Sequence, residues 1–194
     1  MIGLIGDADR ARMFLINPHP TLALYLIAHE GSSSGAVVGL GSVPKRWSRA
    51  RIEELANCID GNNTRVYRGH RKGGGKRTPI GRVIRCFTKE NGGGLEAIAL
   101  VLLIDPKSAE DALMKILDAA SIEAELSLEP DGDFWKVARV ENVTGLALAE
   151  KNGHHTGFPR AGLIAAVRET TDDAGIPDTH SPELDKESPR SLPD

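Results

Sequence analysis

The sequence has few cysteines, no long apolar run and no strong excess of charge of either sign. Its two cysteines, Cys58 and Cys86, have no CxxC spacing, which favours reduced core residues in a cytosolic protein. No stretch approaches the roughly 20 apolar residues that span a bilayer, and the charges from Asp7 to Arg12 do not fit a signal peptide. A net charge of −3 with a pI near 6.1 disfavours surfaces for nucleic acid or anionic membranes. We therefore expect a soluble, intracellular protein that binds neither nucleic acid nor membranes.

The length fits one domain followed by a tail. The 194 residues suffice for a single domain with its own core and could hardly hold two. Residues 170–194 contain four prolines and seven acidic residues but only four apolar ones, too few to offset the entropy of ordering. We assign residues 1–169 to one domain, with residues 1–46 as an N-terminal hairpin region, and residues 170–194 to a disordered acidic tail. The tail fits a link to a scaffold segment, a piece removed by self-cleavage during maturation, or a plain solubilising terminus.

Apolar patterning predicts the elements of the first half of the chain. The apolar stretch 21–28 predicts a buried strand that pairs in a hairpin with residues 35–40 across a glycine–serine turn. Ser48 predicts the N-cap of a helix whose apolar residues repeat with helical spacing and which stops near Asp60. The unbroken apolar run at 95–104 predicts a central strand covered on both faces.

A second helix and a serine follow this strand. Asp105 and Pro106 predict its N-cap and first helical position. Apolar residues then recur at i, i+3, i+4, i+7, i+8 and i+11 from Ala109 to Ala120, which predicts one helix through that range. Ser121 comes where the period changes to that of a strand. We therefore expect its hydroxyl at the mouth of an element, where a nucleophile is accessible.

The order of elements predicts the fold class. After Ser121, a strand at 122–128, a turn at 130–133 and a long strand at 134–148 are expected, with Gly145 as a bend or bulge. Strands thus come first and last, with two helices between them. This order predicts an α+β protein, a mainly antiparallel β-barrel flanked by helices.

A serine is a weak nucleophile until a base takes its proton, so a histidine is needed. His70 is the best candidate of six because it ends a predicted strand at 64–70. The basic, glycine-rich loop at 71–77 lacks the spacing of a phosphate-binding loop and is expected to be flexible, beside the histidine, where it could hold an acidic stretch of substrate. Taken singly, Ser121 also fits a capping residue, and the histidine an exposed side chain.

Five stretches of the sequence, taken in order, support Ser121 and His70 as nucleophile and base. They resemble the prohead (capsid maturation) serine proteases of tailed bacteriophages, a family similar in fold to the herpesvirus assemblins. The resemblance covers about residues 60–165. The stretches are Tyr67–His70, Pro79–Val83, Ser121–Ala124, Val140–Leu148 and Gly157–Gly162.

The resemblance implies an assemblin-like barrel and a serine endopeptidase without a cofactor. It implies scaffold and major capsid proteins as substrates, and possible self-processing. It further implies a homo-oligomer that acts in the host cytoplasm, inside the immature phage capsid.

The third catalytic residue is the least constrained. A base histidine needs an acceptor that fixes its tautomer, and the resemblance implies a second histidine in the herpesvirus enzymes and a carboxylate in the phage enzymes. Glu141 is our choice because it interrupts an apolar strand, although it also fits an outward-facing residue. Glu123 shares a strand face with the serine and is an alternative, although it also fits a residue that simply pairs with a basic side chain. Asp133 and the pair His154-His155 are expected to face solvent, and adjacent histidines without a further ligand do not predict a metal site.

The sequence thus predicts a serine endopeptidase in which Ser121 attacks the scissile carbonyl, His70 takes and returns the proton, and Glu141 orients His70. The alternative is a non-catalytic capsid assembly or scaffold-binding protein with the same fold. A hydrolase of small esters is less favoured, because the G-x-S-x-G match at Gly31–Gly35 falls in the predicted glycine–serine turn and not at a strand-to-helix elbow.

Overall fold

The computed structural model describes residues 13, 19–70, 76–150 and 157–169. The predicted tail at 170–194 and the histidine pair at 154–155 lie outside the described residues, as does most of the region before residue 19. Nine strands and two α-helices are formed in the described part: β1 (Thr21–His29), β2 (Gly31–Val37), β3 (Gly41–Trp47), α1 (Arg49–Gly61), β4 (Arg65–Arg68), β5 (Gly81–Asn91), β6 (Gly94–Leu103), α2 (Pro106–Leu113), β7 (Ala119–Asp131), β8 (Phe134–Ala149) and β9 (Gly162–Arg168).

All nine strands belong to one mixed sheet. The order is β2-β3-β8-β4-β5-β6-β1-β9, and β7 pairs with β8. Six of the eight strand pairs are antiparallel, whereas β8 runs parallel to β3 and to β4. A mainly antiparallel sheet with two helices agrees with the α+β prediction.

The predicted barrel is not formed, because the sheet does not close on itself. The seven residues of β9 form their ladder with β1. Next to the start of β7, β9 makes a backbone hydrogen bond of 3.0 Å from Leu163 N to Asp118 O, with no ladder between the two strands in the described residues. The ladder that would complete a barrel is therefore missing.

The core confirms the predictions for the first helix and the central strand. β6 lies between β5 and β1 and is buried from Leu95 to its end, as expected for a strand covered on both faces. Ile52, Leu55 and Ile59 of α1 are almost completely buried in the same cluster. Ser48 occupies the N-cap position of α1 as predicted, although its side chain makes no capping hydrogen bond.

The predicted N-terminal hairpin is wrong. β1 pairs with β6 and β9, and the glycine–serine stretch assigned to a turn belongs to β2, which pairs with β3. The reason is burial: eight of the nine residues of β1 are buried, so this strand needs neighbours along both edges. β2 alternates exposed Ser32, buried Ser33 and exposed Ser34, the pattern of a strand at the edge of the sheet.

The second helix begins as predicted and ends early. Asp105 accepts a hydrogen bond of 2.8 Å from Ser108 N, and Pro106 opens α2. The helix stops at Leu113, because Lys115 has a φ of 58° in the left-handed region. The apolar spacing misleads because Leu117 remains buried in the turn that follows. Ser121 is consequently the third residue of β7 and does not stand at the junction of helix and strand.

Candidate active site

Three neighbouring strands bring Ser121 and Tyr67 onto one face of the sheet. Ser121 of β7 pairs with Ala147 of β8, and Ala147 pairs on its other side with Tyr67 of β4. Side chains of directly paired residues point to the same face. Glu123 lies two residues beyond the serine and shares this face, about 7 Å along the strand. The period of two therefore groups a hydroxyl and a carboxylate.

Gly145 leaves room on this face. It pairs with Glu123, and the register of the β7–β8 ladder then shifts, so the predicted irregularity at this glycine is confirmed. A Cβ at position 145 would lie 2.9 Å from Cε2 of Tyr67 and 3.4 Å from Oε2 of Glu123. The missing side chain thus allows the aromatic ring and the carboxylate to approach the strand.

His70 reaches the same carboxylate from the end of β4. The strand ends at Arg68, close to the predicted end, and Gly69 then adopts a φ of 68° while its N–H donates to Leu148 O at 2.8 Å. Beyond this turn, Nδ1 of His70 lies 3.2 Å from Oε1 of Glu123. The His70 side chain is 43% exposed, whereas that of Glu123 is 17% exposed. A solvent-accessible imidazole therefore contacts a largely buried carboxylate.

Arg77 holds Glu123 from the other side. Its NH1 donates to Oε1 at 2.9 Å and its NH2 donates to Oε2 at 2.5 Å. NH1 also donates to Gly69 O at 3.1 Å, and the guanidinium carbon lies 4.0 Å from the centre of the Tyr67 ring. Sequence reasoning missed this residue, because Arg77 ends a stretch that was interpreted as a flexible substrate-binding loop. Its proximity to Tyr67 depends on tertiary structure.

The segment at 157–161 lies beside Ser121. A Cβ at Gly157 would lie 3.9 Å from Ser121 Oγ, and Gly157 O accepts a hydrogen bond of 2.7 Å from Ser34 N. Phe158 anchors the segment, with its ring centre 5.3 Å from that of Trp47. The same Cβ would lie only 3.0 Å from Ser34 O, so the missing side chain allows this segment to pack closely against β2 beside Ser121.

Comparison with known proteins does not identify the chain. No family model, curated protein or solved structure matches it. Among the residues that the structure describes, no group of three or more His, Cys, Asp or Glu could hold a metal ion. Within the same ranges, the helices are too short or too polar to cross a membrane. We therefore infer the function of the chain from the geometry of the site.

The structure replaces Glu141 with Glu123 at the histidine. Glu141 is exposed, accepts a hydrogen bond of 2.7 Å from Ser127 Oγ, and lies 3.6 Å from Nε of Arg139. Ser127 is four residues past Glu123, about 13 Å along the strand, so Glu141 lies away from the carboxylate that His70 contacts. These contacts favour Glu123 over Glu141 as the partner of His70.

The other candidates are also placed. Asp133 is exposed in the turn between β7 and β8, as expected. In the described part of the chain, Ser121 makes no direct hydrogen bond to His70; Glu123 contacts the histidine and lies on the same strand face as the serine. Catalytic hydrogen bonds are often long in the free enzyme and shorten when substrate binds. The arrangement is compatible with a nucleophile, a base and an orienting carboxylate.

Proposed function

We propose that the chain is a serine endopeptidase in which Ser121 is the nucleophile, His70 the general base and Glu123 the residue that orients His70. One observation carries the proposal: the contact of 3.2 Å between His70 Nδ1 and Glu123 Oε1, on the strand face that Ser121 shares. A carboxylate can only accept a hydrogen bond, so this contact assigns the proton of the neutral imidazole to Nδ1. Nε2 is then left with its lone pair available.

The chemistry follows from this tautomer. Nε2 of His70 takes the hydroxyl proton as Ser121 Oγ attacks the peptide carbonyl, and Glu123 stabilises the imidazolium that forms. The proton passes to the leaving amine as the C–N bond breaks, which gives an acyl-enzyme. Water then attacks the ester, again losing its proton to Nε2, and Oγ recovers a proton as the acid product leaves. Every proton that His70 accepts is therefore returned within one cycle.

We assign this activity to maturation of a bacteriophage prohead, with scaffold and major capsid proteins as substrates. The support is the ordered set of five stretches at 67–70, 79–83, 121–124, 140–148 and 157–162. Four of them contribute directly to the candidate site: they supply His70, Ser121 with Glu123, the space at Gly145, and the segment beside the serine. An assemblin-like arrangement of strands, as an open sheet and not a closed barrel, is part of the same proposal.

Digestion of a peptide library, read by mass spectrometry, tests the peptidase activity. Wild-type protein is expected to give discrete cleavage products, and Ser121→Ala and His70→Ala are expected to give none. Ser127→Ala is the matched control, because Ser127 is a serine of the same strand that lies far from the histidine and bonds Glu141. Unchanged products from Ser121→Ala would refute the assignment. A wild-type chain that never cleaves peptides, or a scaffold or capsid protein expressed with it, would favour the non-catalytic assembly protein.

A further inference from the structure

Arg77 contacts three groups around the candidate base. Its guanidinium binds both oxygens of Glu123, donates to the carbonyl of Gly69 and lies over the ring of Tyr67. Gly69 immediately precedes His70 in the chain. One planar group therefore binds the carboxylate that contacts His70 and the backbone from which His70 extends.

The chemistry of arginine suits this arrangement. A guanidinium presents several N–H donors in a fixed plane and can bind a carboxylate through two parallel hydrogen bonds, whereas a lysine ammonium acts as a point charge. Glu123 has several rotatable bonds, and the two hydrogen bonds from the guanidinium restrict the orientation of its carboxylate. The Arg77 side chain is only 21% exposed and is supported by the Tyr67 ring, so its own orientation is restricted.

We infer that Arg77 is a positioning residue, which holds Glu123 in the orientation that fixes the tautomer of His70. This inference rests on the proposed function, since Arg77 acts through Glu123 and the histidine. Substrate contact is not part of the role. The role predicts a loss of kcat without a change in KM when Arg77 is replaced.

A spectroscopic experiment tests the positioning independently of activity. An Nδ1–H that is hydrogen-bonded to a carboxylate gives a downfield proton resonance, which can be assigned in ¹⁵N-labelled protein by its loss in His70→Gln. This resonance is expected in the wild type and in Ser121→Ala, and it is expected to disappear by exchange in Glu123→Gln and in Arg77→Gln. Retention of the resonance in a folded Arg77→Gln protein would overturn the inference.

Arg46→Gln is the matched control. Arg46 also pairs with a carboxylate and covers an aromatic ring: its NH1 lies 2.9 Å from Asp131 Oδ2, and its guanidinium carbon lies 4.5 Å from the ring centre of Phe134. It therefore resembles Arg77 in its contacts, but its partners lie at the last residue of β7 and the first residue of β8, far along the strand from Ser121. The resonance and kcat are both expected to be unchanged in Arg46→Gln.

A double-mutant cycle tests whether Arg77 acts through Glu123. Arg77→Gln is expected to lower kcat about 10- to 100-fold in the wild-type background, the scale expected for a small misplacement of a catalytic group. In the Glu123→Gln background the same change is expected to lower kcat by less than about twofold, since coupled residues give non-additive effects. Equal losses in the two backgrounds would contradict the inference.

Arg77→Lys separates position from charge and guards against a misfolded glutamine variant. It keeps the positive charge but cannot form two parallel hydrogen bonds, so kcat is expected to stay well below the wild-type value. Full recovery with lysine would show that charge alone is needed and would overturn the inference. A wild-type protein without peptidase activity, whose resonance still depends on Arg77, would refute the proposed function while supporting the positioning contact.

Discussion

Gly145→Ala is expected to destabilise the protein and to disturb the candidate site together. The added Cβ would lie 2.9 Å from Cε2 and 3.1 Å from Cδ2 of Tyr67, closer than carbon atoms approach in folded proteins. The ring cannot simply turn away, because the Arg77 guanidinium lies 4.0 Å from its centre. A displaced ring therefore displaces Arg77, and with it the carboxylate of Glu123.

The size of the effect follows from two opposing contributions. Overpacking by one methyl group costs about 1–3 kcal/mol of unfolding free energy. Replacing glycine with alanine recovers about 0.4–1 kcal/mol, because the unfolded chain loses conformational freedom. We therefore expect a net loss of about 1–2 kcal/mol, which for a chain of this length lowers Tm by about 2–8 °C. A lower kcat should accompany it, because the carboxylate moves relative to His70.

Thermal unfolding followed by circular dichroism measures the change in Tm, and peptide cleavage measures the change in kcat. Gly92→Ala is the control, because a Cβ at this turn position meets no atom within 4 Å. Its kcat should match that of the wild type, and its Tm should be equal or slightly higher, because alanine at an unstrained glycine position stabilises by about 0.4–1 kcal/mol. Equal Tm values for Gly145→Ala and Gly92→Ala would show that the Tyr67 ring moves freely and that Gly145 is not needed to make room for it.

Three further predictions concern individual side chains. Glu123→Gln should lower kcat by at least about 100-fold, as expected when the orienting carboxylate of a triad is lost. Glu141→Gln should leave kcat unchanged. Steady-state kinetics with one cleaved peptide measures kcat of both variants. Asp105→Ala should cost about 1 kcal/mol through loss of the helix cap. Hydrogen bonds from Ser108 lower the pKa of Asp105 in the folded protein. The difference in unfolding free energy between the wild type and Asp105→Ala should therefore be complete well above the ordinary pKa of 3.8 and disappear as the pH falls below it. Urea unfolding at several pH values measures this difference. Burial raises the pKa of the Cys86 thiol to about 12, so iodoacetamide should alkylate this thiol only after the protein unfolds. Mass spectrometry of the peptide that contains Cys86 measures the alkylation. Alkylation of the native protein would contradict the burial of Cys86.

Local patterns predict elements here, but they do not predict which strands become neighbours. Helical spacing was sufficient for α1, and an unbroken apolar run was sufficient for β6. The partner of β1 was missed because a strand buried on both faces pairs equally well, by sequence, with any apolar neighbour. The end of α2 was missed because a lysine in the left-handed region gives no sequence signal.

The candidate site was predictable where strand alternation applies. The period of two placed Glu123 on the serine's face, whereas the choice of Glu141 used only its polarity within an apolar strand. Polarity does not measure distance from the histidine, and Glu141 instead bonds Ser127. Arg77 could not be found from sequence, because its contacts join β4 with β7 across a loop.

The position of β4 in the sheet has a consequence for when the site can form. This short strand lies between β5 and β8, and β8 begins 134 − 68 = 66 residues after β4 ends. Pairings between distant segments form late, because a long loop must close first. A nascent chain released before residue 145 would hold the histidine, the serine and the glutamate without the strand that aligns them. The proposed peptidase activity would therefore appear only after synthesis has run through most of β8.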